Sequence, residues 1–230
     1  MSLSNFQEQI EAEREWREDE IRFLDNSQRR MTKLEDQMRI RRSIVCLIYA
    51  HIEGFVQFAF SLYIDEINKK NLLCSQVTPV IAAATLHKEF IALNNKDKKS
   101  RVFKKSLPNE TKLHTLFRQV EFVENITTIH EHIVKVPDGY INTESNVGQQ
   151  VLEKLLYQVG LEYKDLKDIY APLNKLLNVR NDISHGKKRQ GIENKDYEEY
   201  INCCKSIISS ISRRLTMAYG KNEFLVRVIY

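Results

Sequence analysis

Glycine and proline are scarce in this 230-residue chain, at 7 and 4. So few turn-formers exclude a many-turned β fold and favour long helices. Cysteine is limited to Cys46, Cys74, Cys203 and Cys204, with no C-x-x-C spacing. The expectation is reduced thiols in a cytoplasmic protein, with no zinc site. Residues 1–22 are acidic and polar and lack an apolar h-region, so no signal peptide is expected. Only Ser43–Ile64 is apolar for long enough to span a bilayer. His51, Glu53 and Gln57 sit near its middle, and a carboxylate there costs about 3 kcal/mol in lipid. A helix enclosed by protein is expected instead, with no membrane partner. The net charge of +4 and the pI near 8.7 allow a polyanion partner without demanding one.

Hydrophobic periodicity then supplies the elements. Residues 5 to about 37 read as one long helix with a narrow apolar seam, and 38–70 as a helix apolar nearly all round. Thr78 as N-cap and Pro79 start another that runs to about Leu93. A basic run follows with Lys96, Lys98, Lys99, Arg101, Lys104 and Lys105. It is either a solubilising loop or a phosphate track on which Phe103 stacks a base. Residues 110–126 read as helix, and HEHIVKVPDGYINT as a short hairpin or an irregular loop. His130 and His132 find no third metal ligand nearby. Asn146 with Gln149 resembles a capping box, and that helix ends at Gly160. A helix from about Tyr163, with a kink at Pro172, precedes the motif described below. Asp196 with Glu199 restarts a helix that keeps a 3.6 period to Leu215, and FLVRVIY ends the chain as a strand or a packed tail. The expected architecture is all-α, an antiparallel helical bundle in a single domain over 1–230 with a partly irregular insertion at about 71–144.

The densest chemistry is RNDISHG, Arg180–Gly186, directly after the stripe Leu166, Ile169, Leu173, Leu176. Arg180 continues that inward series, so a cation stands where Leu or Ile is expected and needs a partner. Glu53 is the nominated partner, and a solvent gap or a backbone N–H is the alternative for its carboxylate. His185 lies about 140° round an ideal helix from Arg180. The two converge only if the helix loosens at His185, with Gly186 as its stop, or if a symmetric copy supplies a second motif.

The form RN-x-x-x-H-G after an amphipathic helix resembles the R-x4-6-H motif of the HEPN superfamily, all-helical nucleotide-binding domains of which many are metal-independent ribonucleases. LIYAHIEGFVQFAF (Leu47–Phe60) and SNVGQQVLEKLLYQVGL (Ser145–Leu161) are similar to segments that precede the motif in one prokaryotic branch. The resemblance covers the bundle-forming parts and not residues 71–144. It implies a HEPN-like bundle whose homodimer cleaves single-stranded RNA by 2′-OH attack in a composite cleft. It also implies 2′,3′-cyclic phosphate ends, no cofactor and no metal. The implied role is a toxin or antiphage defence effector with an inhibitory or activating partner protein.

On that reading His185 carries the proton and Arg180 clamps a non-bridging phosphate oxygen. Asn181 donates to phosphate or fixes the imidazole tautomer. Glu53, Asp182 and Ser184 support them, although Asp182 can equally pair with Lys187 or Lys188. Lys187, Lys188 and Arg189 line the rim and hold flanking RNA phosphates. The alternatives are a non-catalytic HEPN module that binds RNA, a nucleotide or a protein, and a helical DNA-binding regulator that uses the 96–105 run.

Overall fold

The computed structural model describes residues 2–100, 111–163 and 166–226. Arg101, Phe103, Lys104 and Lys105 of the basic run, and the last four residues of the tail, lie outside the described residues. Among the described residues there are eight α-helices and no strand. Two isolated β-bridges are present among the described residues, Leu73 with Ile133 and Val77 with Leu225. The fold class is all-α, as the periodicity predicts. The chain divides into two compact units, Met1–Asp65 with Ile141–Glu223 and Glu66–Tyr140 with Phe224–Tyr230.

The first unit holds α1 (Leu3–Arg29), α2 (Leu34–Asn68) up to Asp65, α6 (Gln149–Gln158), α7 (Lys167–Ser184) and α8 (Asn194–Gly220). Ser2 caps α1 by accepting the Asn5 N–H at 3.3 Å. The buried seam of α1 is Phe6, Ile10, Arg17, Ile21 and Gln28. The single helix expected to residue 37 is instead broken at 30–33. Across the turn buried Arg41 donates to buried Gln28 at 3.0 Å, and the Gln37 amide to the Met31 carbonyl at 2.6 Å. Glu35 and Asp36 then sit in the first turn of α2, where the helix dipole favours anions. α2 is long and apolar enough by length and composition to cross a membrane. In the structure its Ile44, Val45, Ile48, Ile52, Phe55 and Val56 are enclosed by protein. The Cys204 thiol of α8 donates to the Ile48 carbonyl at 3.9 Å, and burying side chains of the size of these α2 residues stabilises by about 2 kcal/mol each.

Two helix starts differ from expectation. α6 takes no capping box from Asn146, because Gly148 is its N-cap and Asn174 of α7 accepts the Gln149 N–H at 2.9 Å. A Cβ at Gly148 would lie 2.9 Å from Leu177, so close approach of the two helices explains the glycine. α8 begins at Asn194, ahead of Asp196.

In the second unit the expected helix from Pro79 is two, α3 (Pro79–Thr85) and α4 (His87–Asn94), and Thr78 makes no side-chain cap bond. Leu86 would lie about 140° from Ile81 on a continuous helix. It is buried nonetheless, and the break at Leu86 permits that. No hairpin forms in HEHIVKVPDGYINT. The Asn68 amide pairs with both backbone groups of Val136 at 2.9 and 3.0 Å, and Gly139 turns the chain at φ +75°. α5 (Thr111–Thr127) buries polar side chains. His114 and Arg118 are buried, His114 accepting the Ser100 N–H and Arg118 donating to the Leu93 and Lys98 carbonyls, while Leu116, Val120 and Val123 are exposed.

Two outcomes test this packing. A Cβ at Gly191 would sit 2.4 Å from the Met38 Cβ and 2.8 Å from its backbone carbon. Gly191→Ala is therefore expected to lower stability in urea by about 1–3 kcal/mol, and an unchanged midpoint would contradict the packing of this loop on α2. Burial and the Arg17 guanidinium, with Nη1 3.4 Å away, push the His51 imidazole below its ordinary range against the weaker pull of Glu20. The unfolded chain then takes up the proton first, so stability present above about pH 6.5 is lost on acidification. His51→Gln is expected to flatten the fall in urea midpoint between about pH 7 and pH 5; an equally steep fall in the variant would remove His51 as its source.

Candidate functional site

Arg180 projects from the last turns of α7 onto α2, where it meets its nominated partner. Its Nη2 lies 3.5 Å from a Glu53 carboxylate oxygen, and both side chains are only 22% exposed. Nη2 also donates to the Ser145 carbonyl at 2.9 Å, and Nη1 to the Asn181 Oδ1 at 2.9 Å. The guanidinium carbon stands 4.1 Å from the centre of the Tyr49 ring, a cation–π contact in a half-buried place. Burial and the Glu53 carboxylate hold the Tyr49 hydroxyl protonated, its pKa pushed up to about 12. Arg180 is thus held from several directions at once.

The segment 141–147 lies beside this ion pair, and α2 holds it with a ladder of side chains four residues apart. Gln57 Nε2 donates to the Ile141 carbonyl at 3.0 Å, and its Oε1 accepts the Thr143 N–H at 3.3 Å. Glu53 accepts the Thr143 hydroxyl at 3.1 Å, and Tyr49 donates to the Val147 carbonyl at 3.3 Å. Within the segment Glu144 and Ser145 have φ of 55° and 52°. Two consecutive left-handed residues that are not glycine are strained. The strain presents the Ser145 carbonyl to Arg180.

His185 is the C-cap of α7 and Gly186 follows at φ +70°. The Gly186 N–H bonds Ile183 and the Lys187 N–H bonds Asp182, at 3.0 and 2.8 Å, which is a Schellman closure. The helix therefore does loosen at His185. Its ring is exposed, and among the described residues it has no hydrogen-bond or ion-pair partner. The Asp182 backbone carbonyl accepts from both Lys187 and Lys188, so the contact between these residues is a backbone one.

The loop then returns to α2. Ile192 N–H bonds the Met38 carbonyl at 2.9 Å, and Arg42 donates to the Arg189 carbonyl at 2.5 Å. Between loop and helix runs a groove of about 680 Å³ lined by Arg42, Cys46, Leu47, Ile183, Lys188 and Arg189. Burial raises the Cys46 thiol against the opposing influence of a hydrogen bond with Ser184 and the charges of Arg180 and Arg42. Another groove of about 590 Å³ lies between α7 and α8, lined by Pro172, Lys175, Glu199, Tyr200 and Cys203, and holds none of the predicted site residues. Among the described residues no group of three or more His, Cys, Asp or Glu is gathered to hold a metal.

Arg180, Asn181 and Glu53 are thus brought together, with Ser184 on the adjoining side near Cys46. Asn181 is engaged by Arg180 and not by the imidazole. No hydrogen bond joins His185 to Arg180 among the described residues. Lys187 and Arg189 are exposed and Lys188 partly so. Sequence reasoning missed Tyr49, the Ser145 carbonyl and Arg42. The 49, 53, 57 spacing of polar groups on an otherwise apolar helix was the available signal for the first.

No curated protein and no solved structure matches this chain. A family model described as RiboL-PSP-HEPN matches residues 12–217, which takes in α2, the 141–147 segment, α7 and the post-motif loop. With the all-helical fold this match places the chain in the RiboL-PSP-HEPN family, a HEPN-type domain.

Proposed function

We propose that the protein is a metal-independent endoribonuclease that cuts single-stranded RNA. The observation that carries this reading is the pairing of a pinned guanidinium with an unpartnered imidazole at one helix end, beside a groove edged by cations. Cleavage by 2′-OH attack requires a base for that hydroxyl, donors for the phosphorane oxygens and an acid for the 5′ oxygen. His185 moves the proton. Arg180 offers its remaining N–H groups to a non-bridging oxygen from a position that needs no rearrangement. Asn181 and Glu53 are positioning residues that fix the guanidinium, and Asp182 and Ser184 stand at the same helix end.

One motif offers one imidazole, and in-line transfer uses a base on one side and an acid on the other. A homodimer that faces two motifs across one cleft supplies both. Lys187, Lys188 and Arg189 then hold flanking phosphates. The family supports RNA as the substrate class, and we extend it to a cytoplasmic toxin or antiphage effector held in check by a partner protein. One observation favours a non-catalytic HEPN module instead, namely that Glu53 already neutralises Arg180.

Labelled single-stranded RNA in EDTA separates the two readings. Cleavage with 2′,3′-cyclic phosphate ends is expected, reduced by about 100-fold or more in His185→Ala and in Arg180→Ala. Tight binding without cleavage of any RNA would leave the non-catalytic module. Glu53→Gln is expected to lower kcat by about 10-fold with a smaller change in KM, the pattern of a lost positioning group. In size-exclusion chromatography the active protein is expected to elute as a dimer, and an active strict monomer would overturn the composite cleft.

A further inference from the structure

The groove between α2 and the post-motif loop combines charge of one sign with an apolar floor. Arg42 comes from α2, Lys188 and Arg189 come from the loop, and no carboxylate lines it. The α7–α8 groove, by contrast, sets Lys175 against Asp196 and Glu199 at 3.4 and 2.6 Å. The floor is Leu47, 45% exposed on α2, and Ile183, half-buried on α7. A large apolar side chain left open beside three cations fits a ligand with a flat apolar face and a negative backbone.

This is a built wall rather than a loose loop. The Arg42–Arg189 and Met38–Ile192 bonds and the absence of a side chain at Gly191 hold the loop against α2. The groove also abuts the proposed cleavage point, since Cys46 in its lining meets Ser184 and feels the charges of both Arg180 and Arg42. Its volume of about 680 Å³ lies within the range of sites for small organic ligands, roughly 300–1,000 Å³.

We infer that this groove is a nucleotide subsite for RNA next to the scissile phosphate. One unpaired base lies on Leu47 and Ile183, and the adjoining phosphate sits among Arg42, Lys188 and Arg189. The inference rests on the reading of Arg180 and His185 as an RNA-cleaving site. It gives the single-strand preference of that reading a physical cause, because a base reaches the apolar floor only after leaving its stack, so a duplex is excluded.

Cys46 is a reporter inside the groove. The test uses the full chain carrying His185→Ala, so that the RNA stays whole, with a fluorescent single-stranded oligouridylate as probe. Binding is followed by anisotropy, and Cys46 alkylation by N-ethylmaleimide is followed by peptide mass spectrometry. Saturating oligouridylate is expected to slow Cys46 alkylation by at least about five-fold while leaving Cys74 unchanged, and a duplex of equal length is expected to give no protection. Arg42→Ala should weaken binding and reduce the slope of log affinity against log salt by about 0.7, the amount expected for one phosphate contact on a single strand. Because Arg42 also staples the loop, Leu47→Glu serves as the second variant. It changes an exposed position, leaves the loop bonds in place and should weaken oligouridylate binding by about ten-fold.

Bound oligouridylate with unprotected Cys46 would overturn the subsite. Equal protection by duplex would overturn its strand preference, and alkylation that slows with protein concentration instead of RNA would make the groove a contact between copies. Cleavage by the parent protein with the first of these results would sink the subsite and keep the nuclease. Protection without cleavage by the parent would do the reverse.

Discussion

A guanidinium moved most of the way out of water needs compensation at every donor it can reach, and Arg180 finds it where three pieces of chain meet. Glu53 supplies the countercharge from α2, Ser145 a carbonyl from the segment before α6, and Asn181 an amide from α7 itself. At 22% exposure the pair attracts more strongly than on open surface, while some water still screens it. The carboxylate is shared with Thr143, so one ion pair ties α2 to α7 and both to the 141–147 segment. Replacing Arg180 by an aliphatic residue would continue the stripe above it, yet would leave Glu53 and the Ser145 carbonyl without their donor.

The end of α7 follows from the same economy of contacts. Gly186 lets the backbone turn left-handed, the Schellman bonds close the last carbonyls, and the next residues return at once to α2 through Ile192. One short stretch therefore stops a helix, carries the imidazole outward and builds a groove wall. Lys188 and Arg189 belong to that wall because of where the loop is fastened, and the fastening runs through Arg42 and Met38 on another helix.

This division explains what was legible in the sequence. The helices, the all-α class, the Glu53–Arg180 pairing and the stop at Gly186 follow from periodicity, from a charge on an apolar face and from backbone rules, all local or nearly so. The break at 30–33 was not legible, because the run 25–37 keeps a helical pattern and the bonds across the turn, Arg41 to Gln28 and Gln37 to the Met31 carbonyl, join residues on either side of it. The capping of α6 by Asn174 and the place of Arg42 beside Arg189 depend on partners 25 and 147 residues away. α5 runs against the usual rule, burying His114 and Arg118 while Leu116, Val120 and Val123 stay exposed and Phe122 meets Phe90, so binary patterning does not settle its inner face.

The strained pair Glu144–Ser145 bears on which part of the site moves. Each left-handed residue costs about 1–3 kcal/mol and persists only where its surroundings over-determine it. Here the Asn142 side chain accepts the Glu144 N–H, Lys154 bridges the Asn142 carbonyl and the Glu144 carboxylate, and Arg180 takes the Ser145 carbonyl. A backbone held in that state on behalf of one guanidinium makes Arg180 a fixed element, oriented before any ligand arrives. The imidazole of His185, past the last helical turn and without a partner among the described residues, has no such restraint. A fixed guanidinium and an unrestrained imidazole therefore stand five residues apart at one helix end.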